Sequence, residues 1–291
     1  MLMHGISAGC GGTDFTYAAI NFPNAKSTVA NGINNGNVVV GTYIDSTDHT
    51  FGFRWQSGHY TKIHVPNSVQ TFANGINDLG DVVGTYSLPG TSSQPANSHG
   101  FLLHAGIFKT IDCPGSQFSG AAGINKYGTI VGTCETSKGE EGFIYKNGSF
   151  RFLDAPVYGG AQDTKLTGIS NLGEVTGVVF SGDNNRGFFI SGSSLTDLDF
   201  LKPLFALDNF AGGVNGHGDI VGCSSASQAF LAFNPESNEG SESTEAFPRL
   251  HNFAPFGATN SCANSINYNR VIVGWYYDSS FVQHGFMAVT H

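Results

Sequence analysis

Gly75-Ile76-Asn77-Asp78-Leu79-Gly80-Asp81-Val82-Val83-Gly84-Thr85-Tyr86 is the stretch whose reading decides the fold. Two short apolar runs flank a polar, glycine-bearing turn, the pattern of a tight β-hairpin. The same block recurs from Gly32, Gly123, Gly168, Gly213 and Ser265, with starts 43 to 52 residues apart. In every copy eight positions separate the Ile or Val from the closing glycine: Ile33 to Gly41, Ile76 to Gly84, Ile124 to Gly132, Ile169 to Gly177, Val214 to Gly222 and Ile266 to Gly274. A turn of such constant length demands one residue with positive φ. Gly80, Gly128, Gly173 and Gly218 supply it, Asn37 does so in the first copy, and Arg270 in the last predicts strain or a different turn.

Downstream of each hairpin comes a third apolar segment: Phe51 to Phe53, His99 to Leu103, Gly142 to Tyr145, Gly187 to Ile190, Ala229 to Leu231 and His284 to Met287. A fourth follows a short turn, as in Tyr60 to Val65, Phe108 to Cys113 and Phe150 to Ala155, and Pro66, Pro114 and Pro156 stop it before the next anchor. Four strands per repeat of this period point to propeller blades over a helical solenoid, although period alone leaves a β-helix open. The last copy ends one strand short at Val289, while Phe15 to Pro23 reads as an orphan fourth strand. Pairing of the two would close a ring and protect its edges. The expected fold is therefore all-β: a single domain over 1–291, a six-bladed β-propeller of four-stranded antiparallel blades. Its closing strand is 14–23 and its repeats lie near 30–65, 73–113, 121–154, 166–200, 211–251 and 263–289.

Composition agrees. Gly accounts for 40 of 291 residues and Phe for 24, with 12% charged, which suits many strands and tight turns. No run of about 18 apolar residues predicts a membrane helix. A net charge of −9, from 22 acidic against 13 basic residues, argues against nucleic acid as a partner. The opening Met1 to Gly12 carries neither a basic n-region nor a long apolar h-region, so no signal peptide is expected in the chain as given. Cys10, Cys113, Cys134, Cys223 and Cys262 show no metal-ligand spacing. They read either as buried small side chains or as one or two disulfides with a leftover thiol, the latter pointing to an oxidising compartment. The sequon at Asn147 is permissive of secretion.

Loop lengths separate two faces. The first-to-second turns are constant and the third-to-fourth turns mostly short, apart from the polar excursion at Asn234 to Ala246. The opposite face carries the variable connections, where binding groups tend to sit. There the third strands open on His99, Glu141, Arg186, Gln228 and His284, with Phe51 and nearby His49 in the first copy, and the second strands exit through Tyr43, Tyr86, Cys134, Val179, Ser224 and Tyr276. The copies differ, which suits one asymmetric pocket at or near the ring axis over a set of identical lectin sites. The candidate catalytic residues are His99, His284, Tyr86 and Tyr276, and the candidate substrate-binding residues are His49, Tyr43, Glu141, Arg186, Gln228 and Trp275.

Each candidate has a structural reading beside the functional one. His99 and His284 share a repeat position that blade geometry alone can explain. Glu141 and Arg186 fill that slot in neighbouring copies, where they form an ion pair or hold a polar substrate group. Asn34, Asn77, Asn125, Asn215 and Asn267 read as turn residues, Asp112 and Asp154 as strand-end caps, and Trp275 to Tyr277 as core filling or a pocket wall. Metal binding by His49, His99 and His284 has no support from spacing, and no cofactor motif appears.

The anchor Gly-Ile-Asn-x-x-Gly-x-Val-Val-Gly-x-Tyr, with His-Gly-Phe and Asp-x-Pro-Gly downstream, resembles the HAF repeat of extracellular bacterial proteins. The second copy carries it best, in Gly75 to Tyr86 and His99 to Phe101; the fourth and fifth lack the His, and the fifth lacks the Asp-Pro element. The resemblance implies a propeller and a secreted or extracytoplasmic setting, with any leader absent from the chain as given, and no reaction. In size and repeat style the chain is also loosely similar to the propeller-type hetero-Diels–Alderases of fungal tropolone sesquiterpenoid pathways, from which no site residue carries over. The resulting expectation is a cofactor-free enzyme that binds a small, largely apolar organic substrate and promotes cyclisation, cycloaddition or isomerisation. The rival is a secreted glycan-binding propeller or polysaccharide lyase, and a scaffold without chemistry is the third reading.

Overall fold

The computed structural model describes residues 15–90, 97–153, 163–181, 184–192, 194–197, 209–224, 228–234 and 249–291. Asp154, Cys10 and nearly all of the 234–246 excursion lie outside these. The described residues form strands joined by turns, with a single 3-10 turn at Pro255–Gly257, and none of their helices is long and apolar enough to cross a membrane.

The first two repeats share an eight-stranded sheet. It comprises β2 (Ser27–Ile33), β3 (Val39–Ile44), β4 (Thr50–Gln56) and β5 (His59–Ile63), then β6 (Gln70–Ile76), β7 (Val82–Ser87), β8 (Ser98–His104) and β9 (Ile107–Ile111). Its halves meet at one parallel bridge, Thr50 to Gln70. Three four-stranded sheets follow. They are β10 (Ser119–Ile124) to β13 (Ser149–Leu153), β14 (Asp163–Ile169) to β17 (Ser194–Asp197), and β18 (Asn209–Val214) to β21 (Arg249–Phe253). The closing sheet runs β22 (Ser261–Ile266), β23 (Val271–Tyr277), β24 (Gln283–Thr290) and β1 (Phe15–Ile20). The amino-terminal strand thus pairs antiparallel with the carboxy-terminal one, from Phe15 opposite Thr290 to Ile20 opposite Gly285. This is a closed, propeller-type ring of antiparallel sheets.

The recurring glycines and phenylalanines explain each other. The closing glycine of each anchor lies in register with the third-strand phenylalanine: Gly41 with Phe53, Gly84 with Phe101, Gly132 with Phe143, Gly177 with Phe188, Gly222 with Phe230 and Gly274 with Phe286. All six rings are fully buried. A Cβ on Gly84 would overlap the Phe72 carbonyl oxygen and lie 2.7 Å from the Phe101 ring, so the aromatic side chain sits where a side chain at 84 would have to be. Burial of each ring removes a large apolar area from water, worth about 2–3 kcal/mol.

Side chains from the innermost strands hold the ring together around its axis. Each such strand carries a bulge, as between Ala30 and Gly32 or Ala263 and Ser265. The bulged residue turns toward its neighbour: Asn31 Nδ2 donates to Ala73 O at 3.0 Å, Asn74 to Ala121 O at 2.9 Å, and Asn264 to Ala30 O at 3.0 Å. The turn asparagines do more than the sequence suggests. Besides accepting from their own turns, Asn34 and Asn267 donate across to Asn77 O and Asn34 O, both at 3.0 Å. The last hairpin keeps the common turn, with Arg270 N donating to Asn267 O at 3.0 Å and φ at 59°. Arg270 Nε is anchored 2.7 Å from Oδ2 of Asp219, which is 0% exposed, and this ion pair holds a residue type that left-handed backbone disfavours.

Two disulfides link successive repeats: Cys113–Cys134 joins the second to the third, and Cys223–Cys262 the fifth to the closing sheet. Of the two sequence readings for these four cysteines, bridging is the one realised.

Candidate functional site

The axis itself is narrow. Two small cavities, of about 70 and 80 Å³, lie along it and are lined by anchor residues such as Asn34, Asn77, Asn267, Gly75 and Gly213. None of the candidate site residues lines either, because the inner strands and their turns present mostly glycine, asparagine and isoleucine there, with Asp78, Ser170, Thr167 and Tyr268 among the few others.

A larger cavity, of about 550 Å³, lies on the variable face of the closing sheet. It is bounded by Ala19, Phe256 to Thr259 and Tyr276 to Ser279, a size in the range of small-ligand pockets. Three segments meet here. β1 supplies Ala19, the crossing that enters β22 supplies Phe256 and its neighbours, and the exit of β23 supplies the tyrosines and Asp278. The Phe256 ring lies 5.1 Å from Tyr276 and 5.8 Å from Tyr17. Burial pushes the Tyr17 phenol up to about 12. Burial first, and the Asp278 charge second, also raise Tyr276, so both hydroxyls stay protonated donors at neutral pH.

His284 stands behind this wall. Its ring stacks on Tyr276 at 5.2 Å, Nε2 lies 3.0 Å from Asp278 Oδ2, and Nδ1 lies 3.2 Å from Asn21 Oδ1. The bond from His284, then the Val282 N–H, hold the Asp278 carboxyl below the usual carboxylate range. The loop that presents it is an Asx-type turn in which Asp278 Oδ1 accepts from Ser280 N at 2.8 Å and Val282 N at 2.9 Å.

The other candidates are placed as follows. Tyr86 and His99 form a second, matching stack at 5.1 Å in the second repeat, with His99 Nδ1 2.7 Å from Asp112 Oδ2 and Tyr86 Oη 2.9 Å from Thr110 Oγ1. Asp112, read from sequence as a strand cap, thus pairs with a histidine, and its Oδ1 is buried without a hydrogen-bond partner. The four catalytic candidates therefore form two separate pairs, with the first repeat between them. In that repeat Tyr43 is buried under Phe22, with ring centroids 3.6 Å apart, and serves packing. His49 is exposed on its loop, 2.7 Å from Thr47 Oγ1. Glu141 is buried and paired with Lys138 Nζ at 3.4 Å. Arg186 lies opposite Val179 in register, and Gln228 is exposed. Trp275 meets Tyr277 edge-on at 5.3 Å, behind the cavity wall.

No protein-family model matches the chain. No curated protein matches it either. Solved structures similar in outline include the Aleuria aurantia lectin in complex with Fucalpha1-6GlcNAc (10% identity, 79% of each chain covered, TM-score 0.47). AofleA from Arthrobotrys oligospora (12%, 83% of this chain and 79% of that one, 0.45) and YCF48 from Cyanidioschyzon merolae (9%, 92% and 88%, 0.45) are similar to a like degree.

Sequence reasoning missed Phe256, Asp278 and the cavity's place off the axis. A signal for Phe256 was present. The crossings place Asn24, Asn67 and Gly115 directly after Pro23, Pro66 and Pro114, whereas Val157 follows Pro156 and Phe256 follows Pro255.

Proposed function

We propose that the chain is a propeller of six four-stranded blades, the eight-stranded sheet counting as two joined by a single bridge, and that the cavity of the closing blade binds a small, largely apolar organic molecule. Phe256, Tyr276, Tyr277 and Ala19 supply apolar walls, and few polar groups converge there. The observation that carries the reading is that Tyr276 and Asp278, both held by His284 behind them, share one wall of this cavity of about 550 Å³. The Tyr276 hydroxyl, kept protonated by its surroundings, is the donor to a ligand carbonyl. The reaction class that fits is cofactor-free cyclisation, cycloaddition or isomerisation, driven by positioning and a hydrogen bond. Two inter-repeat disulfides support an extracytoplasmic setting, and the repeat's likeness to HAF modules belongs to the same reading. Crystals soaked with unsaturated cyclic ketones test it: density in this cavity is expected, and its absence at saturating ligand would end the proposal.

A second reading is favoured by one feature. Asp278 beside the faces of Tyr276 and Phe256 is also a pattern for holding a sugar, with ring stacking and a carboxylate acceptor. A glycan array decides between the two, since strong binding there together with silence toward the ketones selects the sugar.

A further inference from the structure

Two left-handed backbone positions on the variable face are occupied by phenylalanine. In the crossings, the residue after proline takes left-handed φ: Asn24 at 60°, Asn67 at 64°, Gly115 at 77° and Phe256 at 54°. In the second-to-third loops of the first and closing repeats, which share one hydrogen-bond pattern, the same conformation falls to Asp48 at 66° and Phe281 at 61°. Asparagine, aspartate and glycine adopt it at little cost, whereas a bulky aromatic side chain there is an outlier. Phe256 and Phe281 are the two aromatic residues with positive φ among the described residues. Phe256 stays 41% exposed although its ring meets Tyr17 and Tyr276, and Phe281 is 86% exposed, so neither is a core residue. Phe256 walls the cavity, and Phe281 is carried by the loop that brings Asp278 and Ser279 to it.

Strain that stability does not require, at one residue lining this cavity and at a second on the loop leading out of it, marks a ligand clamp. Resting on the small-molecule reading above, we infer that Phe256 and Phe281 are binding residues for a flat aromatic ring system, held against Tyr276. A planar ligand stacks on such rings face to face or edge on, and a puckered saturated ligand of equal carbon number does so poorly.

The test compares 2-naphthol with 2-decalol by isothermal titration, on the intact chain and on Phe256→Asn and Phe281→Asn, which restore the residue type found at such turns. Expected are at least a tenfold preference for 2-naphthol, a tenfold loss of its affinity in Phe256→Asn and a threefold loss in Phe281→Asn. Because its ring is so exposed, Phe281→Asn should also raise Tm by about 2 °C. An unchanged or lower Tm overturns the strain argument. Equal binding of the two probes, or 2-naphthol affinity lost in Tyr276→Ala but unaltered in both asparagine variants, overturns the clamp and leaves the pocket reading standing. Failure of both probes to bind the intact chain overturns the clamp together with the pocket reading beneath it.

Discussion

Tyr276 and His284 stack with ring centroids 5.2 Å apart and planes 29° from parallel. Tyr86 and His99 repeat this at 5.1 Å and 30°, from the same register positions of another repeat. The stack is thus a property of the repeat. What differs is the acidic partner, because Asp112 follows the fourth strand of its repeat, where the closing sheet has Asn21, and Asp278 reaches His284 from the other side.

Removing the Tyr276 hydroxyl while keeping its ring should weaken a carbonyl-bearing ligand without disturbing the fold. Tyr276→Phe is expected to lower affinity by about five- to tenfold, the worth of one hydrogen bond, and Tyr86→Phe to leave it unchanged. Titration calorimetry on both variants checks this; equal losses would mean that the hydroxyl plays no part.

Asp278 is held ionised by its neighbours, so its folded pKa lies below its unfolded one. The associated stability is fully present above the ordinary carboxylate range and disappears as pH falls through the folded value. His284→Gln removes the largest contribution and should move the Asp278 pKa upward, part of the way back to an ordinary carboxylate, since the bonds from Val282 N and Ser280 N remain. Carboxyl 13C titration by NMR reads this directly, and an unmoved midpoint would show that the histidine is not the cause.

Each disulfide ties one repeat to the next across 21 and 39 residues of sequence. Cys223→Ser with Cys262→Ser is expected to cost about 2–4 kcal/mol of unfolding free energy. Denaturant melts of this variant and the parent, with and without reductant, measure it. Reductant should shift the parent more than the variant.

Gly84→Ala forces a methyl group into the space of the Phe101 ring and the Phe72 carbonyl. A loss of about 3 kcal/mol or more is expected, at the upper end for overpacking. The double variant Gly84→Ala with Phe101→Leu should recover part of it, and additive losses would show that the two positions are not coupled.

The fold was legible because its signals are local and repeated. Fixed hairpin length, the closing glycine and the proline after the fourth strand each fall at one repeat position, and the pairing of β1 with β24 follows from a missing strand at one end and a spare at the other. The site was legible only in part. Trp275 and the added Tyr277 broke the Thr-Tyr pattern of earlier copies and drew attention to this strand exit, where Tyr276 does line the cavity. Tyr43 was indistinguishable from it by sequence, since only the structure shows Phe22 covering it. Phe256 escaped notice because exposure and φ, not residue type alone, set it apart. The bulge asparagines Asn31, Asn74 and Asn264 carry no periodic signal that distinguishes a side chain bonded across the ring from one in solvent.

The cavity draws Ala19 from the first described strand and Tyr276 to Ser279 from near the last, with Asn21 and His284 bonded to each other behind it. Its walls are therefore contributed by opposite ends of the chain and come together only when the latch between those ends is fastened. A ligand held there would act as a clasp on that latch, and its occupancy would report whether the molecule has finished folding.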